Sequence, residues 1–130
     1  MKLENKNALI GYTGFIGSNL VNIEKSLDYY NSKNISKIRG KYYDKVYSAG
    51  TSSKIWLAKK KPKEDKKKID NLIENLKRVK ANKFFLVSTC EIYHNQKNFY
   101  ENQKINVLKS YSYGYNRYIL ELFIQKKFTN

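Results

Sequence analysis

Apolar positions along the chain fall into short runs and helical stripes that follow one another in turn. Ala8 to Gly11 is a short apolar run ending in glycine, which predicts a buried strand. Ser18 to Lys25 predicts a short helix around Leu20, Val21 and Ile23. Leu27 to Tyr30 predicts a second strand, closed by the turn-prone stretch Asn31 to Asn34, and Ile35 to Ile38 fits one helical turn. Tyr43 to Gly50 predicts a third strand, again ending in glycine. A helical stretch starts at Ile55 and is interrupted by Pro62. The clearest helix is expected over Glu64 to Lys80, where Ile69, Leu72, Ile73, Leu76 and Val79 build one apolar face. Glu64 and Asp65 stand in its first turn, where they suit the helix dipole. Lys83 to Ser88 is apolar on both faces, as a central parallel strand should be. Tyr111 to Lys127 predicts a last helix, with Tyr115, Tyr118, Ile119, Leu120, Phe123 and Ile124 available for packing. This alternation argues for right-handed crossovers and a parallel sheet in a single α/β domain.

Gly11, Gly14 and Gly17 lie between the first strand and the first helix. The first permits a tight exit from the strand, the second a close backbone approach to a pyrophosphate, and the third close packing of the helix on the sheet. Amides of residues 14 to 17 would point at the phosphates, with the helix dipole favouring that charge. Strand, glycine turn and helix in succession are the context a phosphate-binding motif needs. The same turn makes Thr13, Phe15 and Ile16 candidate cofactor contacts.

The spacing is GxxGxxG, and Gly11 to Ser18 resembles the N-terminal fingerprint of the extended short-chain dehydrogenase/reductases, the nucleotide-sugar epimerases and dehydratases. Three further segments are similar to that family in the correct order. Asp44 to Gly50 resembles its third strand, whose end passes under the cofactor, so Ala49 and Gly50 become cofactor candidates. Phe84 to Tyr93 resembles its fourth strand and the catalytic hydroxyl residue that follows. Tyr113, Gly114, Arg117 and Glu121 resemble its Tyr-Gly-x-Ser-Lys-x-x-x-Glu pattern. The resemblance implies a Rossmann-like three-layer sandwich with a short parallel sheet of about four strands, in the order 3-2-1-4.

It also implies chemistry. Tyr113 becomes the acid/base, Thr89 its hydroxyl partner, and Arg117 the basic residue that holds the nicotinamide ribose and lowers the tyrosine's pKa. Arg117 departs from the family's lysine: it keeps the charge, but it is bulkier and does not titrate usefully. Asn116 replaces the usual serine. Glu91 occupies the position of the glutamate that removes a proton in the dehydratases, and the alternative is a surface loop residue. Cys90 stands where those enzymes carry Asp or Ser, and a thiol is a poorer proton donor to a departing hydroxyl. Cys90 and His94 have no third orienting group in view, and one Cys with one His makes no zinc cluster.

Cofactor choice rests on the end of the second strand, where an acidic residue would bind the ribose hydroxyls of NAD. The chain has Asn31, Ser32 and Lys33 there, and Ser32 and Lys33 favour the 2′-phosphate of NADP. Asp28 is the competing candidate if the strand ends earlier.

The net charge of +15 raises a nucleic-acid reading. Lysine dominates it, however. Arginine, the better base and phosphate reader, occurs only as Arg39, Arg78 and Arg117, and Asn, Ile and Tyr are abundant alongside. That is the signature of an AT-rich coding sequence, so a nucleic-acid partner is the lesser reading. The single cysteine suits a reducing, cytoplasmic setting, and neither a signal peptide nor an apolar run of ~20 residues is visible. Members of the resembled family continue for more than a hundred residues past the tyrosine helix and add a domain that binds the sugar nucleotide. This chain stops at Asn130, which suggests that only the cofactor half is present. An uncovered sheet edge beside the fourth strand invites pairing with another subunit, so a homo-oligomer is expected. The function expected is NAD(P) binding of the epimerase/dehydratase type, with a nucleotide sugar as substrate if the chain is catalytic. The alternative is a non-catalytic nucleotide-binding module.

Overall fold

The computed structural model describes residues 6–51, 54–89, 92 and 112–128. Four parallel strands form one sheet: β1 (Asn7–Ile10), β2 (Leu27–Tyr30), β3 (Tyr42–Ser48) and β4 (Lys80–Leu86). The helices among the described residues are α1 (Phe15–Ser18), α2 (Ile55–Lys60), α3 (Pro62–Leu76) and α4 (Ser112–Phe128), with a 3₁₀ turn at Ile35–Ile38. No helix among the described residues is long and apolar enough to cross a membrane.

The parallel α/β architecture matches the sequence reading, but the strand order is β2-β1-β3-β4, not 3-2-1-4. The third strand lies beside β1 on the side away from β2, with Val46 opposite Ala8 and Phe84. Burial explains the difference. β3 buries Tyr43, Val46 and Ser48 almost completely and needs neighbours on both sides. β2 is four residues long and includes Asp28 and an exposed Tyr29, which suit an edge. The chain crosses over at the β1/β3 boundary, and in open α/β sheets ligands bind at such a switch point.

Several boundaries also move. The first helix ends at Ser18, and turns run from there to Ser26, so the expected Ser18 to Lys25 helix does not form. Ser18 Oγ and Asn19 Nδ2 both donate to the Phe15 carbonyl, at 3.0 and 2.8 Å. Such local side-chain bonds compete with helix propagation. The helical stretch from Ile55 breaks at Pro62 as expected: α2 ends at Lys60 and Pro62 opens α3, since the first helical position needs no N–H. α3 stops at Leu76, and Lys80, expected to end the helix, starts β4. Within the described sheet β4 is an edge strand, not a central one, and Phe85 is 47% exposed.

The core lies between the sheet and α3, α4 and the 3₁₀ turn. Ala8, Ile10 and Val46 meet Ile69, Leu72, Leu76, Leu120 and Ile124 there. Tyr30, Tyr43 and Asp28 add a buried polar chain: the Tyr43 hydroxyl donates to Asp28 Oδ2 at 2.7 Å and therefore accepts from Tyr30 at 2.5 Å. On the opposite face α1 and the turns form the thinner third layer. Glu24 clasps that face, accepting from Lys45 Nζ at 2.7 Å and from the Tyr47 hydroxyl at 2.8 Å. These two donors, Lys45 foremost, hold its carboxyl below the usual carboxylate range.

Candidate functional site

The glycine turn leaves the C-terminal end of β1 and is fixed by backbone bonds. Gly11 N–H donates to the Tyr30 carbonyl at 2.7 Å, and Gly14 N–H to the Gly11 carbonyl at 3.0 Å. Gly11 has φ +85°, and a side chain there would run into the carbonyl of Ala49 at the end of β3. A side chain at Gly17 would overlap the Gly11 carbonyl, so glycine is what lets α1 sit against the strand exit. Gly14 differs from both. An added Cβ would come no nearer to the protein than 3.4 Å, at the Gly11 oxygen. Packing within the protein therefore does not demand glycine at 14.

Two cavities open along the C-terminal ends of the strands, and Gly14, Ala49 and Thr51 line both. The first, about 370 Å³, extends past Phe15 and Ile16 to Lys54, Ser88, Thr89, Tyr113 and Arg117. The second, about 300 Å³, extends past Gly11 and Thr13 to Asn31, Ser32, Gly50, Lys68 and Asn71. The two halves share a middle over the glycine turn and form one trough across the switch point. Of the residues proposed from sequence, Gly17 is buried beneath the turn and Lys33 is exposed outside both linings. Cys90, Glu91 and His94 lie outside the described residues. Asp28 does not reach the trough as a free acceptor: it pairs with Ala8 partway along β2, and its carboxylate is engaged by Tyr43.

Tyr113 and Arg117 stand one turn apart on α4, and both are buried. The Arg117 guanidinium lies 3.8 Å from the centre of the Tyr113 ring, a cation–π contact. Its Nη1 and Nη2 bond the two carboxylate oxygens of Asp65 on α3 at 2.5 and 2.8 Å. Asn116 Nδ2 adds a third bond to Asp65 at 3.1 Å. Asn116 and Arg117 thus converge on one carboxylate. Glu121 accepts from Ser88 Oγ at 2.9 Å, which ties α4 to the segment leading into Thr89.

Sequence reasoning missed Thr51, Lys54, Lys68, Asn71 and Asp65. Lys54 and Thr51 flank the short connection into α2. Lys68 and Asn71 stand three apart on the polar side of α3, where periodicity gives only a solvated face. Asp65 read as a dipole-favoured first-turn residue, and nothing local hinted at its partner 52 positions away.

No protein-family model and no curated protein matches the chain. Among solved structures it is similar to a mutant UDP-glucuronic acid 4-epimerase from Bacillus cereus, in complex with NAD and UDP-4-deoxy-4-fluoro-glucuronic acid. The TM-score is 0.66 at 16% identity, over 95% of this chain and 53% of that one. The fold is Rossmann-like. The chain spans about half the length of the epimerase it matches.

Proposed function

We propose that the chain binds a nicotinamide dinucleotide along the trough. In this reading the pyrophosphate lies over Gly11 to Gly17, the adenosine end faces Asn31, Ser32, Ala49 and Gly50, and the nicotinamide end faces Thr89, Tyr113 and Arg117. The observation that carries the reading is Gly14. It lines both halves of the trough, and the protein's own packing leaves its Cβ position open, as a backbone that must admit a phosphate requires. Bound dinucleotide would supply hydride exchange. Tyr113 would give and take the proton at the substrate oxygen, with Thr89 as the second hydroxyl on that oxygen. A nucleotide sugar is the substrate class this reading favours, with chemistry of the epimerase, dehydratase or reductase kind.

A second reading, a binding module without turnover, draws on Arg117. Its guanidinium is engaged by Asp65, so it acts on Tyr113 through the ring face and is less available to a ribose. Calorimetric titration with NADH and NADPH tests the shared premise, and no heat or fluorescence change with either would sink both readings. Turnover that disappears in Tyr113→Phe while dinucleotide binding persists would select the enzyme.

A further inference from the structure

We infer that Lys68 on α3 is the residue that selects the phosphorylated dinucleotide, NADP(H), over NAD(H); this rests on the dinucleotide reading above. The adenosine half of the trough is bordered by Asn31 and Ser32 after β2 and by Lys68 and Asn71 on α3. No carboxylate among the described residues lines it. An unphosphorylated ribose is held through its two hydroxyls by an acidic side chain at the end of the second strand. Here the acid of that strand, Asp28, accepts the Tyr43 hydroxyl instead. Two side-chain oxygens of the following turn each accept a backbone N–H. Asn31 Oδ1 takes the Lys33 N–H at 2.9 Å, and Asn34 Oδ1 takes the Asn31 N–H at 2.7 Å. Among the described residues the ribose diol therefore meets no carboxylate of the kind that would reward NAD(H).

What the cavity does offer is a cation. Lys66 and Lys77 on and after the same helix are each bound to an acidic neighbour, Asp70 and Glu74, at 2.7 and 2.8 Å. Lys68 forms no such ion pair among the described residues and lines the cavity. A 2′-phosphate brings a charge of about −1.5 to −2 and three acceptor oxygens, which an ammonium with three donors and the Ser32 hydroxyl can meet. Lys33, the cation the sequence put forward, lies outside the lining, and its backbone N–H serves the turn.

The test is calorimetric titration of the full chain with NADPH and with NADH. Wild type should bind NADPH at least about tenfold more tightly, as one charge-assisted contact provides. Lys68→Ala should bring NADPH affinity down to that of NADH and leave NADH unchanged. Alanine suits a helix, so the fold should survive, and thermal melting checks it. Lys33→Ala should change neither affinity. Equal wild-type affinities, or a loss in Lys33→Ala in place of Lys68→Ala, would overturn the inference while leaving dinucleotide binding standing. Failure of wild type to bind either cofactor would overturn the underlying reading as well.

Discussion

Arg117 of α4 and Asp65 of α3 form a bidentate ion pair whose side chains are only 2% and 5% exposed. The pair joins the two helices that cover one face of the sheet. Removing one partner leaves an uncompensated buried charge, so Asp65→Ala should cost about 3–5 kcal/mol in urea unfolding. Replacing both partners together, Asp65→Leu with Arg117→Met, should recover most of that loss, because two apolar groups need no desolvation compensation. A double variant as unstable as Asp65→Ala alone would contradict the assignment. Arg117→Lys should fall between wild type and Asp65→Ala, since an ammonium cannot reproduce the two parallel bonds.

Gly14 and Gly17 should respond oppositely to the same change. Gly17→Ala drives a methyl into the Gly11 carbonyl and should lower stability by about 1–3 kcal/mol or more. Gly14→Ala meets no such contact, so its melting curve should stay close to wild type while dinucleotide affinity falls. Thermal melts paired with calorimetry separate the two. A Gly14→Ala protein that melts as early as Gly17→Ala would refute the idea that position 14 is kept open for a ligand.

Tyr43 should make the protein alkali-labile. Burial, with the bonds to Tyr30 and Asp28, pushes its hydroxyl well above the ordinary tyrosine range. The unfolded chain releases that proton near pH ~10, so the contribution is complete below pH ~10 and is lost as pH rises beyond it. Tyr43→Phe should be less stable at neutral pH, by about 1–2 kcal/mol for the lost hydrogen bonds. It should also show a shallower decline of stability between about pH 10 and 11.5. Circular dichroism during alkaline titration of both proteins would show this, and parallel declines would rule it out.

Self-association is expected through β4. Among the described residues no strand pairs with its outer edge, and Phe85 stacks on Tyr47 with ring centres 4.9 Å apart while remaining 47% exposed. An open edge beside an aromatic patch favours a second chain. Equilibrium sedimentation should show a concentration-dependent dimer or higher species that Phe85→Lys weakens. A wild-type monomer across the whole concentration range would exclude it.

The strands were legible where they carry apolar stretches, and the strand Leu27–Tyr30 and the helical turn Ile35–Ile38 fall where the sequence puts them, whereas the polar start of β4 at Lys80 read as the end of a helix. The glycine turn was legible because its spacing encodes its geometry. Strand order was not, because it depends on how completely Val46 and Ser48 are buried, and burial is decided by the whole sheet. The end of α1 was missed because the bonds from Ser18 and Asn19 to Phe15 outweigh the apolar pattern that follows. Arg117 looked like a ribose ligand from position alone. Its partner Asp65 becomes visible only when α3 and α4 pack, as does the placement of Lys68 on the adenosine side.

The brevity of α1 has a kinetic meaning. A four-residue helix followed by turns buries little apolar surface, and the Glu24–Lys45–Tyr47 clasp is one of few side-chain ties across this layer. Segments anchored in this way open at lower free energy than the core. The loop that would meet the phosphates is therefore expected to open at lower free energy than the core. It should exchange its amide hydrogens early and fall quiet when a dinucleotide is added. Acid should loosen the same layer once Glu24 takes up its proton, below the ordinary glutamate range. In this fold the ligand would act as the missing turns of the helix, supplying from outside the order that the chain itself omits.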